Sequence, residues 1–420
     1  MKYLILVPDG AADNIEVNGG KTPLEEANIP NINELAKRGE IGMVRTIPEG
    51  ISPGSDAANL AVMGYDPARD LTGRSPLEVV SMGIDLDEKD VSFRTNLVTL
   101  SGDGDYEEMT IIDHSAGDIS DEEAAVLINM IDKELGSGNI INKGRVNFYP
   151  GVSYRHALVV SDGEETENGI ADVFSDYVDY QLTPPHDILE KQIGDFLPNE
   201  ANENYLLDFM QKSYVLLKDH VINKERMAKG LNPANSIWIW GEGVRPTFKP
   251  IVQKFGISGS VISAVDLIKG IGICAGLEPI TVEGATGTLN TNFGGKAAAA
   301  ISEYKKGKDF VYLHVEAPDE CSHQGCREEK IEAIEKIDSQ VLAPIMNYLK
   351  NCGEDFRILI VPDHRTPLST RTHSDEPVPY VIYDSRVECY SEENAFSEKA
   401  GAKGNMISSG MDLANTFFEV

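Results

Sequence analysis

The sequence contains no apolar run approaching the ~18 residues that cross a bilayer, so no membrane span is expected. The N-terminal stretch MKYLILVPDG has too short an apolar core for a signal peptide and reads as a first strand. Cysteine is scarce: Cys274, Cys321, Cys326, Cys352 and Cys389 are an odd, scattered set. They form no disulfide framework and suit a reducing, cytoplasmic location. Cys321 and Cys326 flank His323, but no second Cys or His pair stands at matching spacing, so a thiolate zinc site is not expected. Basic residues are also few. Lys and Arg number 37 against 68 Asp and Glu, a net charge of −31, which argues against nucleic acid and anionic membranes as partners. A P-loop is missing too, since Gly294-Gly295-Lys296 is followed by Ala297. Gly270-x-Gly272 neither follows a strand nor completes a dinucleotide fingerprint.

What is present is a chain of 420 residues, 41% hydrophobic and 25% charged, long enough for two domains or for one with a large insertion. Three runs carry the argument. Residues 3–9 read YLILVPD, residues 310–323 read FVYLHVEAPDECSH, and residues 357–363 read RILIVPD with His364 next. Each is a buried-strand pattern that releases an acid where it stops: Asp9, Asp319 and Asp363. One such Asp would be an ordinary turn residue. Three of them, in one parallel sheet, would reach the carboxyl rim where open α/β sheets bind ligands.

The remaining pattern predicts an α/β core, mainly parallel, in residues 1–86 and 188–420. An α+β unit, residues 87–187, looks inserted into it. Within the insertion the sequence predicts strands at 91–100, 106–112, 145–149 and 154–160, and turns at Gly102-Asp103-Gly104 and in SDGEETENG. Ser120-x-x-Glu123 is a capping box opening a helix to about Leu135. Thr183-Pro184-Pro185-His186-Asp187 reads as the hinge back to the core, followed by a long amphipathic helix over 203–229 and a strand over 236–240. Residues 327–349 read as helix, with a break at Pro344.

Candidate functional residues follow. Ser55 sits at the mouth of a helix over 56–63. It is either an N-cap, for which serine is favoured, or a nucleophile whose phosphoryl group would lie against helix N–H donors. Asp319 and His323 are four apart and share a face if a helical turn follows the strand. His373 lies nine residues past His364, before a proline-flanked strand. Asp9, Ser55, Asp319, His323, Asp363, His364 and His373 are about the donor set that two divalent ions need. Two metals ~3.5–4 Å apart clamp an in-line phosphoryl displacement, and they would reverse the potential of an acidic protein locally. Arg74, His114, Arg155, His156 and Arg245 are candidates for holding an anionic substrate, against the alternative that they are solvated strand-end charges.

The motifs VPDG, PGSDAANLAVMGYDP, APDECSH, VPDH and RTHSDEPVP, spread from residue 1 to about 380, resemble the archaeal-type cofactor-independent phosphoglycerate mutases of the alkaline phosphatase superfamily. The resemblance implies an alkaline-phosphatase-like core and a metal-dependent transfer through a phosphoserine at Ser55, interconverting 2- and 3-phosphoglycerate. It further implies that Asp319, His323 and His373 hold one metal, and that Asp9, Asp363 and His364 hold the other, shared with Ser55. Mn2+ is the expected metal, with Zn2+ or Mg2+ as alternatives, and the inserted domain would close over the glycerate. His114, in D-H-S-A-G, stands where these mutases tend to carry arginine. PGVSYRH, TPPHD and SIWIWGEG resemble a bacterial branch proposed to phosphorylate homoserine. Three readings therefore enter: mutase, homoserine phosphotransferase with the same metals and serine, and metal-binding protein without turnover. The partner expected from the first is a small phosphorylated hydroxy acid; the sequence leaves the oligomeric state open.

Overall fold

The computed structural model describes residues 1–15, 20–101, 104–136, 139–141, 144–161, 182–198, 205–387, 390 and 395–419. The two turns expected at 102–104 and 161–169 lie largely outside these residues. The chain forms two compact units, residues 1–71 with 247–420, and residues 72–246. These boundaries differ from the expected 87 and 187, and strand pairing explains why. Ser236–Val244 runs antiparallel along Val91–Leu100, from Val91 opposite Val244 to Val98 opposite Ser236. A strand hydrogen-bonded along that length belongs to the unit of its partner. The segment TPPHD is accordingly no hinge: Pro185–Ile188 is a 3-10 turn inside the smaller unit.

The larger unit is built on eight strands, in the order Glu278–Ile280, Gly259–Ile262, Phe310–Val315, Lys2–Pro8, Phe356–Ile360, Val378–Asp384, Glu40–Val44 and Asn405–Ile407. All neighbours are parallel except the two pairs made by Val378–Asp384. Helices flank the sheet, which is the α/β core expected. The three acid-ending strands are adjacent and central, in register as Pro8 with Val315 and Leu6 with Ile360. Phe310–Val315 is buried throughout, as expected of a parallel strand covered on both faces, and explains its unbroken apolar run.

Helix packing on this sheet uses one glycine in particular. Gly272, in the helix Asp266–Cys274, lies so near Val261 that a Cβ would stand 2.4 Å from Val261 Cγ1. The second glycine of the Gly-x-Gly there serves close packing. The expected helix over 327–349 is Arg327–Lys336, a π-helical segment Ile337–Leu342, and Ala343–Asn351. Pro344 falls in the first turn of the last piece, directly after the π-helical segment. The widened turn presents buried Asp338, which accepts from the N–H of Ile32 at 2.7 Å and from Asn31 Nδ2 at 2.8 Å. It thereby caps the helix Pro30–Arg38, which has no side-chain cap of its own.

The smaller unit is an antiparallel sheet in the order Ile111–Asp113, Val91–Leu100, Arg155–Ser161, Gly144–Tyr149, Asn139–Ile141, with Ser236–Val244 also on Val91–Leu100. Ser120 caps Asp121–Leu135, accepting from the Glu123 N–H at 3.3 Å, but the Glu123 side chain accepts from Arg226 Nη1, so the reciprocal half of the expected capping box is replaced by an ion pair. The expected strand 106–112 is shorter, because Tyr106–Glu108 forms a 3-10 turn. The single helix expected over 203–229 is two, Tyr205–Leu217 and Val221–Ala228. His220 starts the second, with Nδ1 accepting from the Ile222 N–H.

Gly272→Ala is expected to destabilise the fold by about 1–3 kcal/mol through overpacking against Val261. Val261→Ala in the same chain should recover part of that loss. Urea denaturation of the single and double variants measures both, and additive losses would contradict the contact.

Candidate metal centre

All seven predicted donors lie in the larger unit, and the structure brings them together. Asp9 follows strand Lys2–Pro8 directly. Asp319 sits in the first turn of the helix Ala317–His323, which puts His323 one turn on and on the same side. Asp363 lies three residues past strand Phe356–Ile360. Ser55 is the first residue of the helix Ser55–Val62. Gly54, not Ser55, occupies the N-cap, and the Ser55 hydroxyl stands 3.1 Å from His364 Nε2. The simple capping reading of Ser55 is therefore set aside.

The donor atoms fall into overlapping groups. Asp319, His323 and His373 form one; Asp9 and Asp363 with His314 form another; Asp9, Asp319 and His364 form a third. Within each, the ligand atoms lie within 4.8 Å of one another. His323 Nε2 is 3.1 Å from Asp319 Oδ2 and 3.0 Å from His373 Nε2. Its Nδ1 is 2.9 Å from the carbonyl of Arg371, which accepts the Nδ1 proton and turns Nε2 toward the group. Asp363 Oδ2 accepts from Asn59 Nδ2 at 2.8 Å, and Oδ1 from the N–H groups of Gly10 at 3.2 Å and His364 at 3.0 Å.

Electrostatics supply the test of whether a cation fits. Asp9, Asp319 and Asp363 are buried carboxylates crowded into one rim, with half-buried Glu316 beside them. Burial, with the charges of Asp363 and Asp319, drives the Asp9 carboxyl well above its ordinary range. Burial would raise Asp363 as well, but the imidazoles of His364 and His314 hold it below its ordinary value. Burial, then the Asp319 charge, pushes Glu316 up to about 7. Asp9 Oδ1 is buried without a hydrogen-bond partner. So is His314 Nε2, which stands 3.1 Å from Asp9 Oδ2 but out of hydrogen-bonding alignment. Unpaired buried acceptors beside like charges are costly unless something positive joins them. A divalent cation fits that demand, and the carboxylate and imidazole donors suit one.

Sequence reasoning missed several contributors. His314 looks like another residue of a buried strand; only its polarity in an apolar run marks it. Asn59, one helical turn past Ser55, ties Asp363 to the Ser55 carbonyl at 2.8 Å, and the Tyr312 hydroxyl donates to its Oδ1 at 2.6 Å. Thr366 donates to Asp319 and stands 3.2 Å from His364 Nδ1. Gly10 has φ +61°, and a Cβ there would meet Asp319 Oδ1 at 2.5 Å, so the loop after Asp9 needs glycine on two counts.

In the smaller unit, three of the five predicted anion-binding residues belong to a basic and aromatic cluster. The Arg155 guanidinium lies over the Tyr154 ring at 5.2 Å. His114 meets the rings of Tyr154 at 5.6 Å and His186 at 6.1 Å. His186 meets Trp240 at 5.4 Å, and Arg94 lies over Trp240 at 4.1 Å while pairing with Glu78 at 3.0 Å. Burial, then the charges of Arg74 and Arg155, lower the Arg94 pKa despite the opposing pull of Glu78. Arg94, His186 and Trp240 were not singled out in the sequence. His156 departs from expectation: alternation along the strand turns it away from exposed Arg155 and into the core. Its Nδ1 accepts from the Gly151 N–H at 3.0 Å, and burial pushes its pKa down to about 3, so it is a neutral core residue and no clamp. Arg245 is engaged by Asp85 at 2.9 Å and by the Leu86 carbonyl at 2.7 Å.

A family model described as 2,3-bisphosphoglycerate-independent phosphoglycerate mutase matches residues 36–223. A protein of that name from Methanosarcina barkeri is 45% identical over 409 residues, 97% of this chain and 96% of its own length. The chain belongs to this family. A Geobacter sulfurreducens relative named as a probable member is 45% identical over 404 residues, covering 94% of this chain and 96% of its own. Among solved structures, the PH0037 protein of Pyrococcus horikoshii is 28% identical with a TM-score of 0.77, covering 100% of this chain and 97% of its own. A cofactor-independent phosphoglycerate mutase from Thermoplasma acidophilum has a TM-score of 0.66 at 24% identity, covering 100% and 99%, and shows the shared fold. These relatives lend the homoserine reading no support.

Stripping the protein with a chelator and adding back a divalent cation should raise its melting temperature. The gain corresponds to about 2.7 kcal/mol at a hundredfold excess over Kd. Calorimetry on the two forms checks it, and an unchanged transition would count against a cation site.

Proposed function

We propose that this protein interconverts 2-phosphoglycerate and 3-phosphoglycerate without 2,3-bisphosphoglycerate, by way of a phosphoserine at Ser55. One observation carries the reading: in a chain of this family, Ser55 Oγ lies 3.1 Å from His364 Nε2 at the edge of the clustered acids and imidazoles. Two divalent cations, Mn2+ by preference and Zn2+ or Mg2+ otherwise, would supply the positive potential that accepts phosphoryl oxygens and eases loss of the serine proton. Asp319, His323 and His373 would hold one, and Asp9, Asp363, His364 and His314 the other.

The chain's own groups account for the rest. Ser55 Oγ attacks phosphorus, and its bond to phosphorus forms as the bond from phosphorus to the C3 oxygen breaks. The proton lost by Ser55 is balanced by the one taken up by the departing C3 oxygen, which becomes a hydroxyl. As the first helical residue, Ser55 holds the transferred group against the free N–H donors of its helix. Asn59 fixes the Ser55 carbonyl and Asp363 relative to each other, so the nucleophile and one donor are set by one side chain. The C2 hydroxyl then attacks the phosphoserine, its new bond to phosphorus forming as the bond from phosphorus to Ser55 Oγ breaks, and the proton it gives up balances the one that restores the Ser55 hydroxyl. We assign Arg74, His114 and Arg155, with Arg94 and His186, to binding an anionic group, for which guanidinium groups are suited. The small phosphorylated hydroxy acid and the reducing character of the cysteine set fit a cytoplasmic reaction.

Purified protein loaded with Mn2+ should convert 3-phosphoglycerate to 2-phosphoglycerate with no bisphosphoglycerate present, as read by phosphorus NMR. Ser55→Ala should lose at least ~10³-fold in rate while retaining its metals. Failure of the wild type to convert either isomer would refute the reading. Activity unchanged by Ser55→Ala would refute the phosphoserine.

A further inference from the structure

Thr366 belongs to none of the donor groups, yet its hydroxyl lies between two of their members. Oγ1 donates to Asp319 Oδ1 and stands 3.2 Å from His364 Nδ1, and the side chain is fully buried. A hydroxyl has one proton to give. Ionised Asp319 can only accept, so the proton goes there and an Oγ1 lone pair faces His364. That lone pair accepts from Nδ1–H, which fixes His364 in the tautomer whose Nε2 is unprotonated. His364 Nε2 is the atom 3.1 Å from Ser55 Oγ and 3.5 Å from both Asp9 Oδ1 and Asp363 Oδ2.

Thr366 is itself held from behind. Its carbonyl accepts from Lys330 Nζ at 2.9 Å, and its N–H donates to the Ala12 carbonyl at 3.3 Å. Lys330, fully buried, also reaches Asp13 Oδ2 at 3.0 Å and the Ala12 carbonyl at 3.3 Å. The loop after Asp9 and the loop after Asp363 are thus tied together beneath the hydroxyl. A packing threonine would need neither the directed proton nor two polar neighbours.

The geometry points to Thr366 as a positioning residue that sets the His364 tautomer and the Asp319 side-chain orientation, and so couples cation binding by the two donor groups. Asp319 stands with His323 and His373 in one group and with Asp9 and His364 in another, and His364 belongs to the second alone. One hydroxyl therefore orients a donor in each. The inference rests on reading the rim as a cation site, but not on the identity of the substrate.

Two variants separate the role from simple packing: Thr366→Val keeps the shape and removes the hydroxyl, and Thr366→Ser keeps the hydroxyl and removes a methyl group. In metal-free protein labelled with 15N-histidine, long-range proton–nitrogen spectra read the ring tautomers, His364 being assigned by its absence in His364→Gln. Wild type and Thr366→Ser should show His364 protonated at Nδ1, and Thr366→Val should not. Competition against a chromophoric chelator with Mn2+ should show both affinities weakened ~10–100-fold in Thr366→Val and near wild type in Thr366→Ser. A wild-type His364 protonated at Nε2 overturns the proposal whether or not the valine variant folds. So do equal losses in the two variants, or no loss in Thr366→Val. None of these readouts involves phosphoglycerate, so a failed mutase assay leaves them independent.

Discussion

The structure turns on the crowding of Asp9, Asp319 and Asp363 into one dry rim, with half-buried Glu316 beside them, where their charges oppose one another. Water cannot screen them there, and the nearby imidazoles offset only part of the repulsion. The three neighbouring strands Phe310–Val315, Lys2–Pro8 and Phe356–Ile360 aim these acids at one point. The apolar packing that makes those strands rigid also keeps the acids from separating. Fully buried Lys296, which donates to the His314 carbonyl at 3.1 Å, adds a cation under the rim; burial depresses it to about 8. A strained set of negative charges held by a rigid sheet is a poor element of stability and a good receptor for cations.

Much of this was legible in the sequence, for a definite reason. A parallel strand covered on both faces must be apolar along its length, so the residue that breaks the run marks its end. Asp9, Asp319 and Asp363 could be read as rim residues on that ground, and the His323 spacing followed from one helical turn. His314 was not legible, because a histidine inside a strand carries no periodic signal. Nor were Asn59 and Thr366, whose roles are set by partners about 50 to 300 positions away and by which atom holds a proton.

The domain boundary was misplaced by a related difficulty. Ser236–Trp240 looks like any other buried strand, and nothing in it names Val91–Leu100 as its neighbour. Sequence proximity to the core strands suggested one unit, and hydrogen bonding put it in the other. His156 shows the limit of reading adjacent residues as a pair. Two neighbours in a strand face opposite ways, so Arg155 and His156 could not both hold one anion.

The reversed strand Val378–Asp384 has a consequence for the chain between it and Phe356–Ile360. A parallel successor would have carried the backbone to the far end of the sheet by a crossover. An antiparallel one begins where its predecessor finishes, so residues 361–377 never depart from the rim. Asp363, His364, Thr366 and His373 all ride on that single short return. Trimming this connection would remove donors outright, whereas trimming an ordinary crossover would shorten only the scaffold. The segment most exposed to insertion or deletion by its loop character is thus the one least able to absorb either.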